Sequence, residues 1–537
     1  MAETKITLTA AALLFCLCLN AQDVNPDIAW RRFAMDGHRT SSAVADNGKG
    51  LTGTAAKEYD IIRDCAPEMA YLKEVVGKAP QPMRKFRPQS PLSNWFADLM
   101  LVQGEKFSGE KCDVAINNFG GIRSEFAAGD ITVEDIRGMF PFKNDMVICK
   151  IRGSKLKAIF DEMARTKCEV LGGVQIVADR QSVLKVDIGG KPLEEDRIYN
   201  VVSNSFLLDG GDLLYLRRDS ESILDTGHDF YETVLDYVRT TFAQNKMVEG
   251  AIDDRIIYSD RKWTKHAPRQ SSAVKPYKPL NHPCRLTILH TNDTHSQIEP
   301  IRSGEDAGMG GVVERAAFVD SVRRANGASN VLLVDAGDFS QGTPYFTLFK
   351  GKVEVDVMNS MKYDIATIGN HEWDNGVEQL DSRLKKAEFK AVLCNYKIDS
   401  KSLSSKIKPY AIVRRGGLKI GLVGVLTDVS SAVSAEMTRN IHYIDPVEPV
   451  NKWAGFLKNE KKCDYIIVIS HCGYSSKIGE PVGDVQMAPS LHNVDIIIGG
   501  HTHTNLLEPT WVKDADGKPI MIVTDYHKGV YVGEIKL

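Results

Sequence analysis

The sequence predicts an α/β protein in two parts: a first half of α+β character and a second half organised on buried strands. In the second half, five short apolar runs each stop at Asp, Asn or His. Residues 286–289 run into His290 and Asp293-Thr294-His295, 331–334 into Asp335 and Asp338, and 365–368 into Asn370-His371. Residues 465–469 run into His471, and 494–498 into His501-Thr502-His503. Continuous Val/Ile/Leu runs mark strands covered on both faces, and open α/β sheets place ligands at the carboxyl ends of such strands. One Asp-x-His is a weak motif; five such endings describe one site assembled at one edge of a sheet. The remaining observation is a Lys-, Pro- and Ser-rich stretch, residues 261–284, which reads as a linker between units of residues 22–260 and 285–537.

In chain order, Lys5 and the apolar residues 6–19 followed by Asn20-Ala21-Gln22 predict a signal peptide over 1–21, and hence an exported, periplasmic or secreted protein. Cys16 and Cys18 follow Phe15 and Leu17, not the small residues that precede a lipid-anchored cysteine. Residues 22–60 show no clean period and read as an irregular lead-in. Residues 65–76 have helical apolar spacing with Pro67 near the start, and 92–101 form a second helix. A strand at 113–116 enters the turn-rich Asn117-Asn118-Phe119-Gly120-Gly121-Ile122-Arg123. A helix at 132–139 precedes Pro141-Phe142 and a strand at 146–151; further strands cover 172–177 and 199–203, the latter opening into residues 204–212.

At 537 residues the chain exceeds one core, and 43% apolar with 26% charged residues is ordinary for a globular protein. A net charge of −3 gives no electrostatic case for a nucleic-acid polymer or an anionic membrane as partner. No stretch after the leader is apolar enough for stable membrane insertion. The cysteines are dispersed without a Cys-x-x-Cys pair, and Cys472 beside His471 reads as a buried strand-end residue. Nine of the 13 histidines lie from His290 onward, in the half that holds the five runs.

Asp, Asn and His without thiolate suit Zn, Mn, Fe or Co in an open site. Asp293, His295, Asp338, Asn370, His471, His501 and His503 are too many ligands for one catalytic ion. They suit two divalent ions roughly 3.5–4 Å apart sharing a carboxylate, with Asp338 the natural bridge. His371 is one histidine more than the metals need. Asp374, three residues on, can fix its tautomer, which makes His371 a candidate to protonate a phosphate leaving group.

These blocks resemble the calcineurin-like metallophosphoesterases, and Leu289-His290-Thr291-Asn292-Asp293-Thr294-His295 with Gly369-Asn370-His371-Glu372 narrows the resemblance to the 5′-nucleotidase branch. Asn118 to Arg123, Pro141-Phe142 and Phe206 with Gly210-Gly211-Asp212 resemble that family's nucleotide-recognition domain. The resemblance implies a four-layer α/β/β/α sandwich for the second half and an α+β recognition domain for the first, in swapped order. It implies one metal on Asp293, His295, Asp338 and His503, the other on Asp338, Asn370, His471 and His501, and a catalytic dyad of His371 and Asp374. Phe142 and Phe206 would sandwich the base, Asp212 would contact the nucleoside, Asn118 and Arg123 would lie near ribose and phosphate, and an arginine near Arg87 would touch phosphate. The implied activity is release of phosphate from nucleoside 5′-monophosphates by a metal-bound hydroxide. A 2′,3′-cyclic nucleotide phosphodiesterase, a nucleotide-sugar hydrolase and a non-catalytic nucleotide-binding surface protein are the alternatives.

Overall fold

The computed structural model describes residues 24–260 apart from Pro26, 285–476 and 481–537. The expected signal peptide (1–21) and linker (261–284) lie outside the described residues. Two facing sheets build the second half. The first has seven strands in the order Ala29–Ala34, Tyr531–Lys536, Thr287–Thr291, Val331–Asp335, Ile365–Thr367, Lys390–Val392 and Ile407–Lys408. Its last five run parallel, and its first two pair antiparallel. The second has six, in the order Tyr410–Arg415, Leu418–Leu426, Tyr465–His471, Ile496–Ile498, Pro519–Val523 and Thr510–Lys513, parallel through the middle four.

Ile288, Val334, Ile365, Ile420, Ile467 and Ile498 meet between the sheets in one buried cluster. Val423, Ile466, Val468 and Ile497 point the other way, under the helix Val447–Asn459. The central strands are therefore covered on both faces, which is why their sequences are continuously apolar rather than alternating. Helices Gly53–Met69, Val312–Asn326 and Lys352–Ser360 cover the far face of the first sheet. The layers are α/β/β/α, as the resemblance implied. One expectation changes: three of the five polar-ending runs lie in the first sheet and two in the second. The site spans the ends of two facing sheets, not one edge of one sheet.

The first half carries a five-stranded sheet in the order Ser220–Asp229, Asp145–Arg152, Ile198–Asn204, Val114–Asn117, Val170–Gly172. The helix Pro91–Ser108 packs on it, opened by a capping box between Ser90 and Ser93 with Pro91 in the first turn. The single strand expected over 172–177 is two, Val170–Gly172 and Val174–Ala178, in different sheets. They break at Gly173, whose φ is 71° and where a Cβ would sit 2.2 Å from the carbonyl oxygen of Asp113.

The lead-in is not irregular. Its strand Ala29–Ala34 pairs with the chain's last strand from Ala29↔Lys536 to Ala34↔Tyr531, so these residues complete the second half's sheet. The helix expected over 65–76 instead spans Gly53–Met69, with Pro67 in its last turn, while Val75 and Val76 begin the strand Val75–Ala79. Thr54 ties the helix start to Asp320 through N (2.8 Å) and Oγ1 (2.9 Å). One hydrophobic cluster then runs from Leu72, Val76 and Val133 of the first half to Phe318, Tyr345 and Val353 of the second. Leu72 is fully buried within it. Leu72→Ala should cost about 2–5 kcal/mol, and urea unfolding followed by probes in each half should shift in both; a shift confined to one half would show that the core is not shared.

Candidate metal centre

Five of the seven candidate ligands have left-handed backbone: Asp293 (φ 49°), His295 (48°), Asp338 (55°), His501 (76°) and His503 (50°). Non-glycine residues avoid this region, and such strain persists where surrounding contacts over-determine it. Here the loops hold one another. Asp293 N–H donates to Gly337 O and His295 N–H to Asp338 O, each at 2.9 Å. His501 N–H donates to the Asp293 carboxylate at 2.9–3.0 Å, and Asn292 Nδ2 donates to Asp293 Oδ2 at 2.6 Å.

Glu372 closes the arrangement. Its buried carboxylate accepts from Asp338 N (2.9 Å), Ser340 N (2.9 Å) and Gly369 N (2.7 Å), fastening the loop of Asp338 to that of Asn370. Arg383 donates to the Glu372 carbonyl and to Ser340 Oγ, the latter at 2.6 Å. Asp335 turns away from the ligands, accepting from Thr291 Oγ1 (2.6 Å) and Gly337 N (2.9 Å). The nearby glycines make room for side chains: a Cβ on Gly369 would lie 2.2 Å from Asp338 Oδ1, and one on Gly500 would lie 2.9 Å from His471 Nδ1.

The ligand atoms gather in overlapping groups, Asp293–His295–His503, Asp338–His471–His501 and His295–Asp338–His371, within 4.8 Å inside each group. His295 Nδ1 faces the Gln341 carbonyl at 3.2 Å and His471 Nδ1 faces that of Ala336 at 2.7 Å, so each turns its Nε2 inward. His295 Nε2 then lies 2.8 Å from His503 Nε2, and His471 Nε2 lies 3.0 Å from Asp338 Oδ2. Asn370 Oδ1 lies 2.9 Å from His501 Nδ1. Asp293 Oδ1 stands 3.4 Å from His503 Nε2 and 3.8 Å from His471 Nε2, between the first two groups.

Burial, then the charges of Arg123 and His503, holds His295 well below the usual imidazole range. Burial and His471 bring His501 down to about 4. At His471 burial is outweighed by Asp338 and Asp293, and its pKa rises to about 10. Imidazoles held neutral at His295 and His501, beside carboxylates that draw positive charge onto His471, fit bound divalent cations.

His371 Nδ1 lies 2.8 Å from Asp374 Oδ2 across a 3₁₀ turn. Burial alone would lower its pKa, but Asp374 and Asp338 raise it. From the first half, Phe142 comes within 5.9 Å of the His371 ring, centre to centre. Arg123 sits 5.8 Å over Phe142, in the field of Asp338, Asp374, Asp293 and Asp212. Asn118 Nδ2 donates to Asp212 Oδ2 at 2.7 Å, and Asn204 Nδ2 donates to Asn118 Oδ1 at 3.1 Å. Phe206 is half-buried against Gly211 and the first half's smaller core. A small pocket lined by Phe96, Phe140, Phe142, Phe230, Asn117 and Asn144 includes Phe142 but not Phe206.

Arg87 is engaged elsewhere: its guanidinium donates to Glu169 Oε1 (2.9 Å) and lies 4.4 Å over the Phe119 ring. Glu169 Oε2 accepts from Phe119 N at 2.6 Å, so the pair shapes the loop carrying Asn118 and Arg123. Sequence reasoning assigned no role to Glu169, Glu372 or Lys528. Glu372 stood in view beside His371, whereas nothing local marks Glu169, or Lys528, whose N–H donates to Asp293 O at 2.6 Å. Glu372→Gln presents an amide donor to one of the three N–H groups and should destabilise the metal-free protein by about 1–3 kcal/mol; an unchanged denaturation midpoint would show that Glu372 is not the clamp.

Two family models match the chain: the 5′-nucleotidase C-terminal domain over residues 75–216 and the calcineurin-like phosphoesterase over 286–505. A snake venom 5′-nucleotidase of Gloydius brevicauda is 35% identical over 274 residues, 47% of this chain and 45% of that protein. A 5′-nucleotidase of Homo sapiens is 33% identical over 277 residues, 47% of this chain and 46% of that protein. A solved 5′-nucleotidase precursor of Thermus thermophilus is 33% identical, covering 46% of this chain and 50% of that one, with a TM-score of 0.41. The chain spans about half the length of the curated relatives it matches.

Proposed function

Because this chain joins a 5′-nucleotidase C-terminal domain to a calcineurin-like phosphoesterase domain, with the former first, we propose that it is a hydrolase releasing phosphate from nucleoside 5′-monophosphates. The observation that carries the reading is Arg123, a half-buried recognition-half cation in the field of Asp338, Asp374 and Asp293. A phosphate there would meet the ligand set of one half and the guanidinium of the other.

On this reading Asp293, His295, Asp338 and His503 hold one divalent ion, and Asp338, Asn370, His471 and His501 the other. Such ions supply Lewis acidity and a nucleophile at neutral pH. Arg123 neutralises phosphate charge and fixes its orientation. His371, its Nδ1 proton held by Asp374, carries a second proton on Nε2 and delivers it to the departing ribose 5′-oxygen. Asn118 and Asp212 hold the nucleoside, and Phe142 and Phe206 supply apolar faces for the base. We further propose that residues 1–21 direct export and that 261–284 link the recognition and phosphoesterase units. No helix among the described residues is long and apolar enough to cross a membrane.

Phosphate release from AMP and UMP, with added Mn(II) or Zn(II) and after chelation, tests the reading; no metal-dependent release from either would sink it. His371→Asn should lower kcat by roughly 10²–10⁴-fold. Asp374 raises the His371 pKa, so in Asp374→Asn His371 loses its proton at lower pH and the alkaline limb of the kcat profile should move down. A limb that stays in place would give the acid role to another group.

Phe206→Ala separates recognition from chemistry. It should weaken AMP and UMP binding alike by about 1–3 kcal/mol, as for other base–aromatic stacks, while leaving p-nitrophenyl phosphate turnover near wild type. Equal losses on both substrate types would make Phe206 a core residue.

A further inference from the structure

The strand Ala29–Ala34 lies outside both matched domains, yet its side chains reach toward the ligand loops. Residues alternate between faces along a strand. Phe33 packs on the helix side against Phe318, ring centres 4.8 Å apart. Trp30 and Arg32 belong to the other face.

Trp30 Nε1 donates to His290 Nε2 at 3.2 Å, although the strand Tyr531–Lys536 runs between them. The crossing is possible because Gly533, paired with both Arg32 and His290, has no side chain. A Cβ there would sit 2.1 Å from His290 Nε2 and 2.5 Å from Asp525 Oδ2. His290 Nδ1 lies 2.6 Å from Asp525 Oδ2, both side chains fully buried. Asp525 N donates to Asn292 Oδ1 at 2.8 Å, and Asn292 Nδ2 reaches Asp293 Oδ2 at 2.6 Å. Arg32 takes a second route: its guanidinium stacks 4.1 Å over Tyr531 and donates to Asn505 Oδ1. Asn505 bridges to Asp525 and follows His503 by two residues.

We infer that the strand Ala29–Ala34 is a positioning element of the metal centre, acting through Trp30, His290, Asp525 and Asn292 on Asp293, and through Arg32 and Asn505 on the loop of His503. Trp30 acts at a distance, on His290, whose partner Asp525 holds the Asn292 beside Asp293, and Arg32 acts on Asn505, two residues beyond His503. Outer contacts of this kind set how well ligands are preorganised, and their loss weakens metal affinity.

The inference rests on the metal reading of the site, and calorimetric titration of the full chain with Mn(II) tests it. Trp30→Phe keeps an apolar ring without the N–H, and Arg32→Met keeps a long stem without the guanidinium. Each should bind Mn(II) about tenfold more weakly than wild type. Phe33→Leu, on the opposite face, should lower the melting temperature of the metal-free protein and leave Mn(II) affinity unchanged. If Trp30→Phe does not fold, Arg32→Met against Phe33→Leu gives the same comparison. Wild-type affinity in the Trp30 and Arg32 variants, or an equal loss in Phe33→Leu, would overturn the positioning role. A wild-type chain that takes up no Mn(II) would sink the metal reading and this inference with it.

Discussion

Glu372, a carboxylate outside the candidate ligand set, holds the candidate centre in shape. Burying it is unfavourable, and burial followed by repulsion from Asp338 pushes its pKa up. The N–H groups of Asp338, Ser340 and Gly369 offset that cost by taking its oxygens as acceptors. The geometry follows from this exchange. With the two loops fastened together, Asp338 can keep an unfavourable left-handed backbone, and its Oδ1 accepts from His371 N at 2.8 Å. Candidate bridge and dyad are thereby set from one point.

The first half reaches this centre through loops, while its own sheets stay behind them. Arg302 pairs with Glu134 at 2.5 Å, Ser303 Oγ donates to Glu125 O at 2.7 Å, and Arg84 stands 3.7 Å from Glu305. These ties flank the segment that carries Arg123. They are partly exposed ion pairs and single hydrogen bonds, each worth little alone. The shared apolar cluster around Leu72 and Val133 therefore carries more of the join than the charges do.

Much of the second half was legible because its strands are buried on both faces and end in polar residues, a pattern written over a few consecutive positions. What was missed is written over long distances. Ala29–Ala34 looks irregular because its partner strand stands at the other end of the chain. The division of the polar-ending runs between two sheets left no local trace, since Ile365–Thr367 and Ile496–Ile498 are equally short and equally buried. Pro67 suggested a helix start, yet it occupies the last turn of a helix begun at Gly53. Glu169 gains its place by accepting from Arg87 and Phe119, neither a neighbour in sequence. The resemblance supplied Arg123, Asn118 and Asp212, which composition and periodicity could not.

The pairing of the first described strand with the last has a consequence for the order of assembly. Arg31 and Glu534, joined at 2.5 Å, are 503 residues apart. Closing so long a loop adds only a logarithmic entropy term at equilibrium, but so remote a contact forms late. A ribosome delivers the chain from its amino end, and domains fold as they emerge. All strands of the five-stranded sheet are then available within residues 114–229, while Trp30 and Phe33 still lack their sheet. This early strand must wait, apolar side chains uncovered, until Tyr531–Lys536 leaves the exit tunnel. Emergence of Tyr531–Lys536 is therefore the event that closes this edge of the phosphoesterase sheet.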